Sequence, residues 1–204
     1  MPAGSRRVVV ALCALLAVAA VPSPAGADGR IRPAGVSSVN DPKGDVKNDE
    51  GGAAAQPEAD IVTAGAENRG NDVVFSLLVD RPTDPRSTKN WEGGSTLAAW
   101  AVETSGDNNP DYVVAFGRDD KGQLSVWVGR NEAGESGTPP CTGTASLGPK
   151  GEFVATVPAG CLGNPASFRY AAAMAWDTDP ANDNAPSVGD SAPDNDNLAG
   201  PVTK

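Results

Sequence analysis

The chain has 204 residues, with 26 acidic against 16 basic side chains, no histidine and a formal net charge of −10. That balance lacks the positive footprint that DNA, RNA or anionic lipid demands, which excludes those partners. Without histidine, Ser-His-Asp and Cys-His nucleophilic catalysis and histidine-based zinc sites are excluded as well.

Residues 1–27 read as an export signal. Arg6 and Arg7 form a basic start, residues 8–21 an apolar stretch, and Ala25-Gly26-Ala27 a small-residue cleavage site. The apolar stretch falls short of the ~20 residues of a membrane-spanning helix, and no later segment approaches that length. Leu12, in front of Cys13, is not the small residue of lipoprotein processing. The expectation is a secreted, extracellular chain with a single domain over residues 28–190 and a flexible C-terminal tail over 191–204. Cys141 and Cys161 survive processing. An even pair in an oxidising compartment is expected to form a disulfide, and no histidine is present to activate either thiol.

In chain order, residues 35–39 offer a first strand, and residues 40–60 form a long polar loop of Pro, Gly and acidic residues without periodicity. The segment DIVTAGAE then alternates as a strand and turns at 68–72 into VVFSLLV, with Val73, Phe75, Leu77 and Val79 on one face. Residues 81–94 are a loop broken by Pro82 and Pro85 and carrying Trp91. Residues 95–130 read as three consecutive strands joined by the polar turns SGDNNP and DDKG. In the last of these strands Leu124, Val126 and Val128 face one way, and Ser125, Trp127 and Gly129 the other. Residues 141–147 and 152–157 predict a further hairpin. Residues 167–176 place Phe168, Tyr170, Ala172, Met174 and Trp176 on one face; their alternation favours a strand over an alanine-rich helix. Past Asp177 the Asp/Asn/Pro/Gly composition predicts loop or tail. The sum is an all-β, antiparallel β-sandwich, jelly-roll-like, of about eight or nine strands with long acidic loops.

Carboxylate chemistry is what the composition leaves. Ca²⁺ takes six to eight oxygens from Asp, Asn and carbonyl groups in loops. Asp41, Asp45 and Asp60 bracket the first long loop, and Asp107, Asn109 and Asp111 lie in the first turn of the meander, so both are candidate Ca²⁺ sites. Asp177, Asp179, Asn182 and Asp183 follow the last strong strand. The bland reading of each is that Asp and Asn cap their own turns. Among four tryptophans, Trp100 and Trp176 read as core, while Trp91 in its loop and Trp127 opposite the apolar face are candidate rings for stacking against sugar.

The segments Asp41-Pro42-Lys43-Gly44-Asp45, Ala59-Asp60-Ile61 and Gly106-Asp107-Asn108-Asn109-Pro110-Asp111-Tyr112 resemble motifs of secreted bacterial β-sandwich domains of the DOMON-like superfamily, which includes family 9 carbohydrate-binding modules. The resemblance runs from Val36 to Asp190. It implies a jelly-roll-like sandwich with structural calcium and a sugar or haem site; the lack of histidine and a core-facing Met174 speak against haem. The function expected is a secreted, non-catalytic, calcium-stabilised β-sandwich that binds extracellular or cell-wall carbohydrate. The alternatives are an exported structural or inhibitor-like domain that binds a protein, and a small carboxylate-dependent hydrolase.

Overall fold

The computed structural model describes residues 35–131, 141–182, 185–194 and 197–204. The expected export signal, the Gly/Pro-rich segment 132–140 and Asp183 lie outside the described residues. Alternation of apolar and polar side chains organises the rest into twelve strands: β1 (Val36–Asn40), β2 (Lys47–Asn48), β3 (Ile61–Asn68), β4 (Asp72–Val79), β5 (Leu97–Glu103), β6 (Tyr112–Arg118), β7 (Leu124–Arg130), β8 (Cys141–Leu147), β9 (Phe153–Pro158), β10 (Ser167–Asp177), β11 (Ser187–Ala192) and β12 (Ala199–Thr203). All pairings are antiparallel, in the order β1-β3-β4-β9-β8-β7-β6-β5-β10-β11-β2, with β12 beside the first part of β10. Every strand expected before Asp177 is present, including the 167–176 segment, which is strand and not helix.

The sheet curls into two facing layers because β8 belongs to both. Its first residues pair with β7 and its later ones with β9. The change of partner falls at Gly143, where a Cβ would sit 2.5 Å from the Thr156 carbonyl oxygen. Only glycine permits that approach, which is the physical reason a glycine stands at the corner. The Cys141–Cys161 disulfide fastens the start of β8 to the short 3-10 helix Ala159–Leu162, with Cα atoms 5.7 Å apart, within the ordinary range for a disulfide.

Between the layers lies one apolar core. Phe75 touches Trp100, Phe168 and Tyr170, while Trp91 touches Phe116, Phe153 and Trp176. The Tyr170 hydroxyl lies 3.2 Å from the Ser37 carbonyl oxygen and 3.3 Å from that of Ala64, a polar tie from β10 to β1 and β3 across the core. Outside the core, Leu97 and Ala99 form a small second cluster with Val113 and Ala175 on the other face of β5, β6 and β10.

Two expectations change here. The chain beyond Asp177 is not loop and tail: β11 pairs with β10 along residues 187–192, and β12 follows, with Val202 fully buried. Composition misleads because β10 supplies a ready hydrogen-bonding edge, and a handful of apolar residues (Val188, Ala192, Val202) then suffices to dock both strands. Trp91 is fully buried rather than offered to a ligand. The loop that carries it folds as a 3-10 segment, Lys89–Gly94, and inserts the indole into the core, where Nε1 donates to Thr83 Oγ1 at 3.2 Å. Trp91→Ala is therefore expected to cost about 3–5 kcal/mol in urea unfolding, against less than about 1.5 kcal/mol for the half-buried Trp127.

Candidate metal centre

Asp41 follows β1 directly, and its amide donates to the Val62 carbonyl at 3.1 Å, so the β1–β3 pairing fixes where its side chain starts. Gly44 then turns the chain at φ +85°, a left-handed conformation that favours glycine, and brings Asp45 back beside Asp41. Asp190 sits in β11 opposite Met174 of β10, whose side chain is in the core, and Asp194 follows four residues later. One carboxylate oxygen from each of Asp41, Asp45, Asp190 and Asp194 lies within 4.8 Å of all the others. Two stretches of chain some 150 residues apart, each with the spacing D-x-x-x-D, thus meet at one point.

The four carboxylates are not equivalent. Both Oδ atoms of Asp41 and Oδ1 of Asp45 are buried and accept no hydrogen bond. Asp41 as a residue is only 8% exposed. Asp190 is held from both sides: Oδ2 accepts from the Ile61 amide at 2.8 Å and Oδ1 from the Ser191 amide at 2.8 Å. The first of these bonds crosses from β11 to β3, so Asp190 also ties the layers together. Burial, helped by the charges of Asp190, Asp194, Asp45 and Asp60, pushes the Asp41 carboxyl up to about 8. Burial likewise lifts Asp190 to about 7 against the pull of its two amide donors, and raises Asp194 above the usual carboxylate range. Such shifts mark carboxylates that must find either a proton or a cation.

The expected ligand sets are accordingly redrawn. Asp41 and Asp45 belong to the cluster. Asp60 stands beside it, its two oxygens accepting from the Gly44 amide at 3.1 and 2.9 Å; it positions the bend that carries Asp45. Lys43, the cation in this bend, is paired with Asp80. The turn holding Asp107, Asn109 and Asp111 satisfies itself. Asp111 Oδ2 accepts from the Thr104 amide and hydroxyl, both at 2.7 Å, and from the Ser105 amide at 3.1 Å, while Asp107 Oδ1 accepts from the Asn109 amide at 2.8 Å. These acids work as turn caps, the ordinary role of Asp in such loops, and among the described residues they join no acidic cluster. Asp190 and Asp194 escape the sequence because they fall in or next to the stretch that composition marks as tail, and their D-x-x-x-D spacing recurs at 45/49, 80/84, 107/111 and 179/183, so it singles nothing out.

Trp127 projects from β7 on the outer face, opposite the buried Val126 and Val128, and is half-buried. A Cβ placed on Gly117 of β6 would lie 3.2 Å from its Cζ3 and 3.5 Å from its Cη2, so the six-membered ring rests on the glycine. Ala115 is its direct cross-strand neighbour. Trp91 and Trp127, offered by the sequence as a pair, are separated by the sheet.

No family model matches the chain, and no curated protein or solved structure matches it. The resemblance to DOMON-like domains gains no support from these comparisons.

The raised carboxyls make a signed prediction for metal-free protein. Asp41 and Asp190 hold their protons more tightly folded than unfolded, so their contribution to stability is complete below the unfolded value of 3.8 and is lost as pH rises through about 7 and 8. The melting temperature of protein stripped with a chelator should fall by roughly 5 °C or more between about pH 5 and about pH 8.5. Asp41→Asn should flatten much of that fall, as followed by circular dichroism.

Proposed function

We propose that the protein is an extracellular, non-catalytic β-sandwich domain that binds polysaccharide, with Trp127 as its stacking platform. The observation that carries this reading is the Trp127 ring lying on Gly117 at the outer face of β6 and β7. A flat indole backed by strand offers rigid contact area and loses little conformational freedom when a pyranose face packs against it. Small neighbours, Ala115 and Gly129 among them, leave room beside the ring for an extended chain. The disulfide supports an oxidising, extracytoplasmic setting.

The hydrolase alternative fares less well. A glycosidase acid pair faces an open cleft with carboxyl groups about 5–9.5 Å apart, so that a sugar and a water fit between them. The clustered aspartates converge on one point with oxygens within 4.8 Å of one another, and the oxygens of Asp41 are buried, closed to a substrate. Their arrangement suits an ion better than a substrate.

The test is depletion of the protein from solution by a panel of insoluble polysaccharides and bacterial cell walls. The reading expects selective retention on at least one matrix, and a drop of about tenfold or more in affinity for Trp127→Ala. No retention on any matrix, or retention indifferent to Trp127→Ala, overturns it. Capture of a protein but of no glycan would favour the interaction-domain alternative.

A further inference from the structure

We propose that Asp41, Asp45, Asp190 and Asp194 bind one Ca²⁺ ion, and that this ion clasps the β1–β3 edge of one layer to β11 of the other. The site stands apart from Trp127 and does not depend on what that ring contacts.

Three observations carry the assignment. The first is the geometry of the oxygens. Ligands on opposite sides of a Ca²⁺ ion lie about 4.6–5.2 Å apart, twice the usual Ca–O distance, whereas around Mg²⁺ the same span is about 4.0–4.2 Å. The aspartate oxygens lie within 4.8 Å of one another, close enough for one calcium shell to span all four. The second is the state of Asp41. A carboxylate closed off from water with both oxygens unpartnered is among the costliest arrangements a protein can hold, unless a cation completes it. Its two free oxygens suit a bidentate ligand, and Asp45 Oδ1 is a third buried oxygen without a donor. The third is the positioning around the cluster. Asp190 is oriented by the amides of Ile61 and Ser191, and Asp60 holds the Gly44 amide and so fixes the loop that brings in Asp45. Hydrogen-bonded ligands and a fixed supporting loop are how metal sites hold their shape.

Hard oxygen donors with no sulfur or imidazole select calcium or magnesium over zinc or copper, and four convergent carboxylates, one of them closed off from water, suit calcium, because magnesium keeps several waters and takes one or two carboxylates. Because the ligands come in pairs from residues 41–45 and 190–194, an ion here closes a loop of nearly the whole domain. It contributes where the chain is otherwise held by few bonds: β2 has only two residues, and it pairs with β11 at Val188 and Gly189.

The experiment is calorimetric titration of CaCl₂, and separately MgCl₂, into the chelator-stripped protein near neutral pH, for wild type, Asp41→Asn, Asp194→Asn and Asp107→Asn. The expected result is one Ca²⁺ per chain, at least tenfold weaker Mg²⁺ binding, and a melting temperature raised by about 5–10 °C at hundredfold excess of calcium over Kd. Asp41→Asn and Asp194→Asn should each weaken calcium binding about a hundredfold or more, and Asp107→Asn should leave it unchanged. Asp194 is the less buried of the two cluster positions, so its variant keeps the test open where Asp41→Asn fails to fold. No calcium binding by the folded wild type, equal binding of both ions, or wild-type affinity in Asp194→Asn overturns the proposal.

Discussion

Like charges do not gather by chance, and the convergence of Asp41, Asp45, Asp190 and Asp194 is the constraint on which the rest of this structure turns. At separations no greater than 4.8 Å, each pair of ionised carboxylates repels by at least about 3 kcal/mol even at an effective dielectric constant near 20. Such a cluster opposes folding unless protons or a cation answer it. The fold nevertheless drives these residues together, because Asp41 is the continuation of β1 and Asp190 a register position of β11. Strand pairing and the apolar core bring in the charges, and the charges in turn make the two layers' junction sensitive to what occupies it.

The same junction is where the layers exchange polar ties. Asp190 accepts from the Ile61 amide, and the Tyr170 hydroxyl meets the Ser37 and Ala64 carbonyl oxygens. Both cross from the β10–β11 side to the β1–β3 side. Midway along the strand order, where the sheet folds over, β8 joins the layers covalently through its own backbone and the disulfide to Cys161. One side of the sandwich is thus closed by chain and sulfur, and the other by hydrogen bonds and carboxylates.

Much of the strand content is legible in the sequence, and what is not has separate physical reasons. The β5–β6–β7 meander, the β8–β9 hairpin and the core face of β10 follow from alternation of large apolar residues with polar turns between them, a local signal that tertiary packing reinforces. β11 and β12 carry too few apolar residues to announce themselves, since β10 provides the pairing edge they need. With them went Asp190 and Asp194, half of the candidate site. Residue type alone makes Asp60 and Asp111 resemble ion ligands, but Asp60 stands outside the cluster of four and holds the Gly44 amide, and Asp111 caps its own turn. Trp91 lies in a Pro-bounded loop, which reads as exposed; the loop's own fold turns the indole inward onto Phe116 and Phe153.

A Ca²⁺ ion bound as proposed at the aspartate cluster would lock the two layers at one edge. Native-state amide hydrogen exchange, compared residue by residue in calcium and in chelator, tests it most directly. Calcium is expected to slow exchange about tenfold or more at the Gly44, Ile61 and Ser191 amides, which donate to the carboxylates in and around the cluster, with a much smaller change at Val114 in β6. Exchange that is unaltered by calcium, or slowed equally at all four positions, would contradict it.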